Sequence, residues 1–123
     1  MIKKFEDLLG HTLSDCVVGS DTVVFTLLNG DKYQLYHDQS CCENVNVEDV
    51  VGDVKDLIGS PITLAEESSN SREDPLDVTK EWSRDSFTWT FYRLATVKGY
   101  VTIRFYGESN GWYSESVSFE KII

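Results

Sequence analysis

The sequence predicts an α+β domain dominated by antiparallel sheet, and three observations carry that prediction. Phe87, Trp89 and Phe91 alternate with Thr88, Thr90 and Tyr92, and Val101, Ile103 and Phe105 alternate with Thr102, Arg104 and Tyr106. A period of two belongs to strands. Asn29-Gly30 stands between two short apolar runs, and that dipeptide favours a two-residue type I′ hairpin turn. Ile2, Phe5, Leu8 and Leu9 recur at helical spacing, with Gly10 placed to end the helix.

In chain order, a short N-terminal helix precedes a first strand over Leu13 to Val18. Thr22 to Leu28 and Lys32 to His37 form the arms of the Asn29-Gly30 hairpin. In the second arm Tyr33, Leu35 and His37 share one face. After a short extended piece, Val47, Val50, Val51, Val54, Leu57 and Ile58 fit helical spacing. This predicts a second helix from about Asp49 to Ile58, ended by Gly59. Pro61 introduces a short strand over Ile62 to Ala65. The polar run from Glu66 to Thr79 contains Ser68-Ser69-Asn70-Ser71 and Pro75 and has no periodicity, which predicts a flexible acidic loop inside one domain. The C-terminal third reads as a three-strand meander turning at Lys98-Gly99 and Asn110-Gly111. Its last strand carries Tyr113, Glu115, Val117 and Phe119.

Length and charge narrow the function classes. A chain of 123 residues is expected to form a single domain over 1–123. It holds 21 Asp and Glu against 11 Lys and Arg, a formal charge of −10, whereas an unaided binder of duplex DNA or anionic membrane is expected to be basic. Glu43 to Asp77 contains ten acids and two bases, and so holds eight of the ten net negative charges. Such a segment is either a solvated face or a contact surface for a positively charged protein. Glu48, Asp49, Asp53, Asp56, Glu66 and Glu67 are its candidate contact residues, and Trp112, beside a turn, is a candidate anchor for the same interface. No apolar run approaches the ~20 residues of a membrane span. The N-terminus lacks the apolar stretch of a signal peptide. Three cysteines, two of them adjacent, do not make a disulfide framework, and a reducing, cytoplasmic setting is expected.

His37, Cys41 and Cys42 bring one imidazole and two thiols within six residues, and these groups suit zinc. A tetrahedral site needs a fourth ligand, and Cys16, His11, Glu43, Asp53 and Glu66 all remain open. The competing reading is a core histidine, in line with Tyr33 and Leu35, beside two small buried thiols. A Cys/His nucleophile pair is the weaker alternative, because acidic surroundings raise a thiol's pKa. There is no phosphate-cradling glycine loop, no GxSxG and no HExxH. No catalytic residue is assigned and the protein is expected not to be an enzyme, with a small metal-dependent hydrolase as the outlying class. The aromatics near Arg93 and Arg104 are read as core and cross-strand pairs in preference to a base-stacking platform.

Several stretches carry a resemblance: Tyr36-His37-Asp38-Gln39-Ser40-Cys41-Cys42-Glu43, Gly52 to Ile62, Trp89 to Arg104, and Tyr106 to Ser116. From about Leu13 to Phe119 the chain resembles a small domain family of phages and prophages, mostly uncharacterised. It is also similar to type II-A anti-CRISPR proteins that carry a metal and act on Cas9. The resemblance implies a phage-encoded inhibitor in the host cytoplasm, with a structural zinc at His37, Cys41 and Cys42. It implies Cas9 as the partner but fixes neither the fourth ligand nor the partner surface. The charge of the Glu43 to Asp77 segment fits docking on a positive channel of Cas9, which would block nucleic-acid loading. A phage accessory protein of other role, with cysteines that simply pack, is the alternative.

Overall fold

In a computed structural model the described residues are 2–38, 43–73, 86–109 and 116–122. They form two four-stranded antiparallel sheets. The first has the order β1 (Leu13–Val18), β2 (Val23–Leu27), β3 (Lys32–Tyr36), β8 (Ser118–Lys121). The second has the order β4 (Asn44–Val51), β7 (Gly99–Ser109), β6 (Ser86–Thr96), β5 (Leu64–Glu73). One apolar cluster draws on both sheets, with Phe25, Leu27, Tyr33 and Leu35 from the first and Val45, Tyr92, Leu94, Val101, Ile103 and Phe105 from the second. Phe5 joins them: its ring lies 6.1 Å from Phe25 and 4.7 Å from Tyr92.

Both predicted helices are corrected to single 3-10 turns, Phe5–Leu8 and Val54–Leu57. Residues at i and i+3 eclipse in a 3-10 turn, so burying Phe5 with Leu8 needs no longer helix. A longer one would face a costly nucleation step. Asp7 accepts the backbone N–H groups of Lys3 at 2.9 Å and Lys4 at 3.1 Å, and these bonds hold its carboxyl below the usual range. The second expectation failed for a different reason. Asp49 to Val51 belongs to β4, whose register shifts at a bulge between Val47 and Asp49. A bulge inserts one residue and reverses the alternation. Val47 and Val50 therefore both pack on the core at a spacing of three, which imitates a helix.

The expected loop over 66–79 is also corrected. Glu66 to Glu73 continues β5 and pairs along its length with β6, from Leu64 opposite Ala95 to Glu73 opposite Ser86. An edge strand needs its backbone ladder more than an apolar face, and charged or polar side chains protect such an edge from unwanted pairing. Residues 74–85 lie outside the described set. The meander is corrected where it is described: β6 and β7 pair as expected, but β8 pairs with β3, with Phe119 opposite Leu35. Residues 110–115, which hold the expected Asn110-Gly111 turn with Tyr113 and Glu115, lie outside the described set. At the first hairpin only Gly30 takes positive φ, at 93°. A type I′ turn needs positive φ at both central residues, so this turn is of another kind. Gly30 N–H donates to Leu27 O and Leu27 N–H to Asp31 O.

Candidate functional site: a histidine–glutamate pair and an acidic-rimmed sheet

Two features of the fold collect the polar and aromatic chemistry. The first lies just past β3. Alternation carries His37 inward after Tyr33 and Leu35, and its side chain is 5% exposed. Its Nδ1 lies 2.6 Å from the carbonyl oxygen of Ser116, ahead of β8. A carbonyl only accepts, so Nδ1 carries the hydrogen. Nε2 then faces Oε2 of Glu43 at 3.5 Å, and the Glu43 side chain is 1% exposed. Nε2 makes no hydrogen bond among the described residues. A neutral ring would turn its Nε2 lone pair toward a carboxylate, which is repulsive unless a proton or a cation lies between them.

This geometry fits part of a metal site. A carbonyl bond at Nδ1 that frees Nε2 is the usual support for a metal-bound histidine, and Glu43 is the expected ligand candidate that lies beside it. Cys41 and Cys42 lie outside the described residues. Among the described residues no three His, Cys, Asp or Glu side chains gather as a ligand set. The other candidates stand elsewhere. Cys16 sits in β1 opposite Phe25, which in turn pairs with Tyr33, four residues short of His37. Burial, with Asp15 beside it, pushes the Cys16 thiol up to about 12, so it packs as a small apolar group. His11 is exposed, Asp53 stands at the second 3-10 turn and Glu66 lies on β5.

The second feature is the outer face of the second sheet. Glu48 and Asp49 occupy the bulge of β4 at one edge and Glu66 lies on β5 at the other, while Glu67, opposite Tyr92, falls on the inner row of β5. The acidic segment is thus divided between opposite edges. Arg104 on β7 reaches Glu48 at 2.5 Å and Asp49 at 3.8 Å. Asp53 and Asp56 have local structural roles. Asp53 caps the second 3-10 turn by accepting the Lys55 N–H at 3.0 Å, and Asp56 lies against Gly99, where a Cβ would meet its carboxylate. Trp112 lies outside the described residues. Between the acidic edges, Phe87, Trp89, Phe91 and Tyr106 are half-buried on the outer face, while Tyr92 and Phe105 supply the core instead. The sequence reading missed this division. The signal was present in the polarity of the alternate row: Leu94 follows Thr90 and Tyr92, while Arg93 follows Trp89 and Phe91.

A match to the family described as Domain of unknown function (DUF7448) spans residues 6–119. The chain belongs to that family. No curated protein and no solved structure matches it. The DUF7448 match covers both features, from Glu6 within the first 3-10 turn to Phe119, whose ring stacks on Tyr33. Among the described residues no helix is long and apolar enough to cross a membrane.

Proposed function

We propose that this DUF7448 protein is a non-catalytic binding module that docks on a positively charged protein surface and blocks what that surface normally grips. The observation that carries the reading is the placement of acids on both edges of one sheet, β4 and β5, in a chain of charge −10. Charge of one sign steers encounter with the opposite sign and disfavours nucleic acid as the direct ligand. Cas9, which holds its guide and target in positive channels, is the partner suggested by the sequence resemblance to phage-encoded inhibitors. Occupancy alone would inhibit such a protein, and no step of bond chemistry is required.

The test is a cleavage assay with purified Cas9, guide and target, in which the protein is added before or after guide loading. Inhibition that requires addition before loading and weakens with salt is expected. Unchanged cleavage in both orders, with no complex on gel filtration, would contradict the reading.

The histidine pair supports a structural zinc as a further part of the proposal, held by His37, Cys41 and Cys42 with Glu43 beside them. Zinc there would tie the end of β3 to the start of β4. Elemental analysis of protein purified without added metal should return about one zinc per chain, and a chelator should lower the melting temperature. Metal-free protein with an unchanged melt would remove zinc and leave the docking proposal standing.

A further inference from the structure

The aromatic outer face of the second sheet has a specific use within that docking reading, on which this inference rests. Alternation in β6 and β7 turns Thr90, Tyr92, Leu94, Val101, Ile103 and Phe105 inward. It leaves Phe87, Trp89, Phe91 and Tyr106 on the solvent side. Three of these rings form a contiguous surface. Trp89 and Tyr106 have centroids 5.4 Å apart, Phe87 and Tyr106 6.1 Å, and Phe87 and Trp89 6.4 Å. Rings of this number on one sheet face make an unusual solvent boundary, since large aromatics are mostly spent in cores and interfaces.

The charges around the rings select the ligand. By register the outward row holds three arginines, Arg93, Arg104 and Arg72, the last opposite Phe87 in the ladder; the first two are engaged within the chain. Arg104 binds Glu48 and Asp49. Arg93 donates to Ser68 Oγ at 2.8 Å and places its guanidinium 5.2 Å from the Phe91 ring centre. That last contact is itself a cation–π pair on this face. The outward carboxylates are Glu48 and Asp49 at the β4 edge, Glu66 at the β5 edge and Glu108 on β7, where the Tyr106 hydroxyl donates to Glu108 at 3.3 Å. Four acids against three bases, two of them engaged, leave the surround negative in a chain of charge −10. Phosphate is repelled by such a surround, and a cationic side chain is attracted both by it and by the ring faces.

We propose that Phe87, Trp89 and Tyr106, flanked by the acidic edges of β4 and β5, form a docking face for an arginine-rich segment of a partner protein. Guanidinium groups stack flat on aromatic rings and pair with carboxylates in the same plane, which ammonium groups do less well. The face therefore ranks arginine above lysine at equal charge.

The test uses the full chain and three fluorescent probes: a nona-arginine peptide, a nona-lysine peptide and an oligothymidylate. Wild-type protein is expected to bind nona-arginine most tightly and oligothymidylate least. The W89L/Y106L variant is expected to lose at least tenfold in nona-arginine affinity while keeping its circular dichroism and melting transition. Should that variant fail to fold, the Trp89 indole N–H signal of wild-type protein is followed by NMR during titration, and it should move with nona-arginine at saturating amounts. Unchanged peptide affinity in the folded variant, an unmoved indole signal, or tighter binding of oligothymidylate would each overturn the assignment. The docking reading fails separately. If W89L/Y106L still binds Cas9 as wild type does while E48Q/E66Q does not, acidic docking stands and the aromatic face falls. If wild type binds nona-arginine through Trp89 but never Cas9, the face stands and the partner falls.

Discussion

His37 is held at Nδ1 by Ser116 O at 2.6 Å, and its Nε2 faces Glu43 at 3.5 Å. It therefore joins the end of β3 to the segments that precede β4 and β8. His37→Ala should lower stability by roughly 1–3 kcal/mol, the scale of a lost buried polar contact, as read from a urea midpoint. A cost near zero would mean that the ring holds nothing together. Tyr92 gives the opposite expectation. Its hydroxyl is buried and makes no hydrogen bond of good geometry, though burial, with Glu67 and Glu6 nearby, pushes it well above the ordinary tyrosine range. Tyr92→Phe should be neutral or stabilising by about 1 kcal/mol, and a clear loss would show that Glu67 accepts from it. Cys16 supplies a pH dependence. Its thiol is raised from 9.0 to about 12 by burial, so above about pH 9 the unfolded chain loses a proton that the folded chain keeps. Stability should fall as pH rises through that window, and Cys16→Ala should remove that part of the slope. The inward row of Tyr33, Leu35 and His37 was legible in the sequence, because strand alternation is local. Glu43 beside His37 was only one of five candidates there, because their meeting depends on how β4 returns across the fold.

At the scale of elements, strands with apolar alternation were readable and elements stabilised by other means were not. β1 has its expected bounds, β2 and β3 fall close to theirs, and β6 and β7 contain the expected alternations and extend beyond them. The β4 bulge broke the period of two and gave a helical spacing, and β5 carries Ser68-Ser69-Asn70 in a strand because its partner β6 supplies the ladder. The partner of β8 is set by long-range closure, which no local pattern encodes. Gly52 marks the end of β4 with φ of 103°, and a Cβ there would run into the Tyr100 carbonyl oxygen. Gly52→Ala should cost roughly 1–3 kcal/mol in stability, measured by thermal or urea unfolding. A substitution tolerated without loss would show that this end of the sheet can open.

For the whole molecule, the distribution of charge matters more than its sum. The sequence places eight net negative charges in one segment, and the fold divides them: Glu48 and Asp49 on β4, Glu66 and Glu67 on β5, Asp53 and Asp56 in a turn that they help to build. The two edges frame aromatic rings that local reading assigned to core and cross-strand pairs. Trp89 and Tyr106 do pair across strands, but on the outer face, because β6 is aromatic on both faces and only pairing with β7 decides which row turns inward. The docking account predicts an affinity carried by opposite charge and therefore screened by salt. Its most direct test is the calorimetric affinity for guide-free Cas9 between about 50 mM and about 200 mM salt, a range over which the Debye length shortens about twofold. The account predicts a complex at low salt whose affinity falls by at least about tenfold across the range, a loss of about 1.4 kcal/mol. No complex at low salt, or an affinity indifferent to salt, would contradict it.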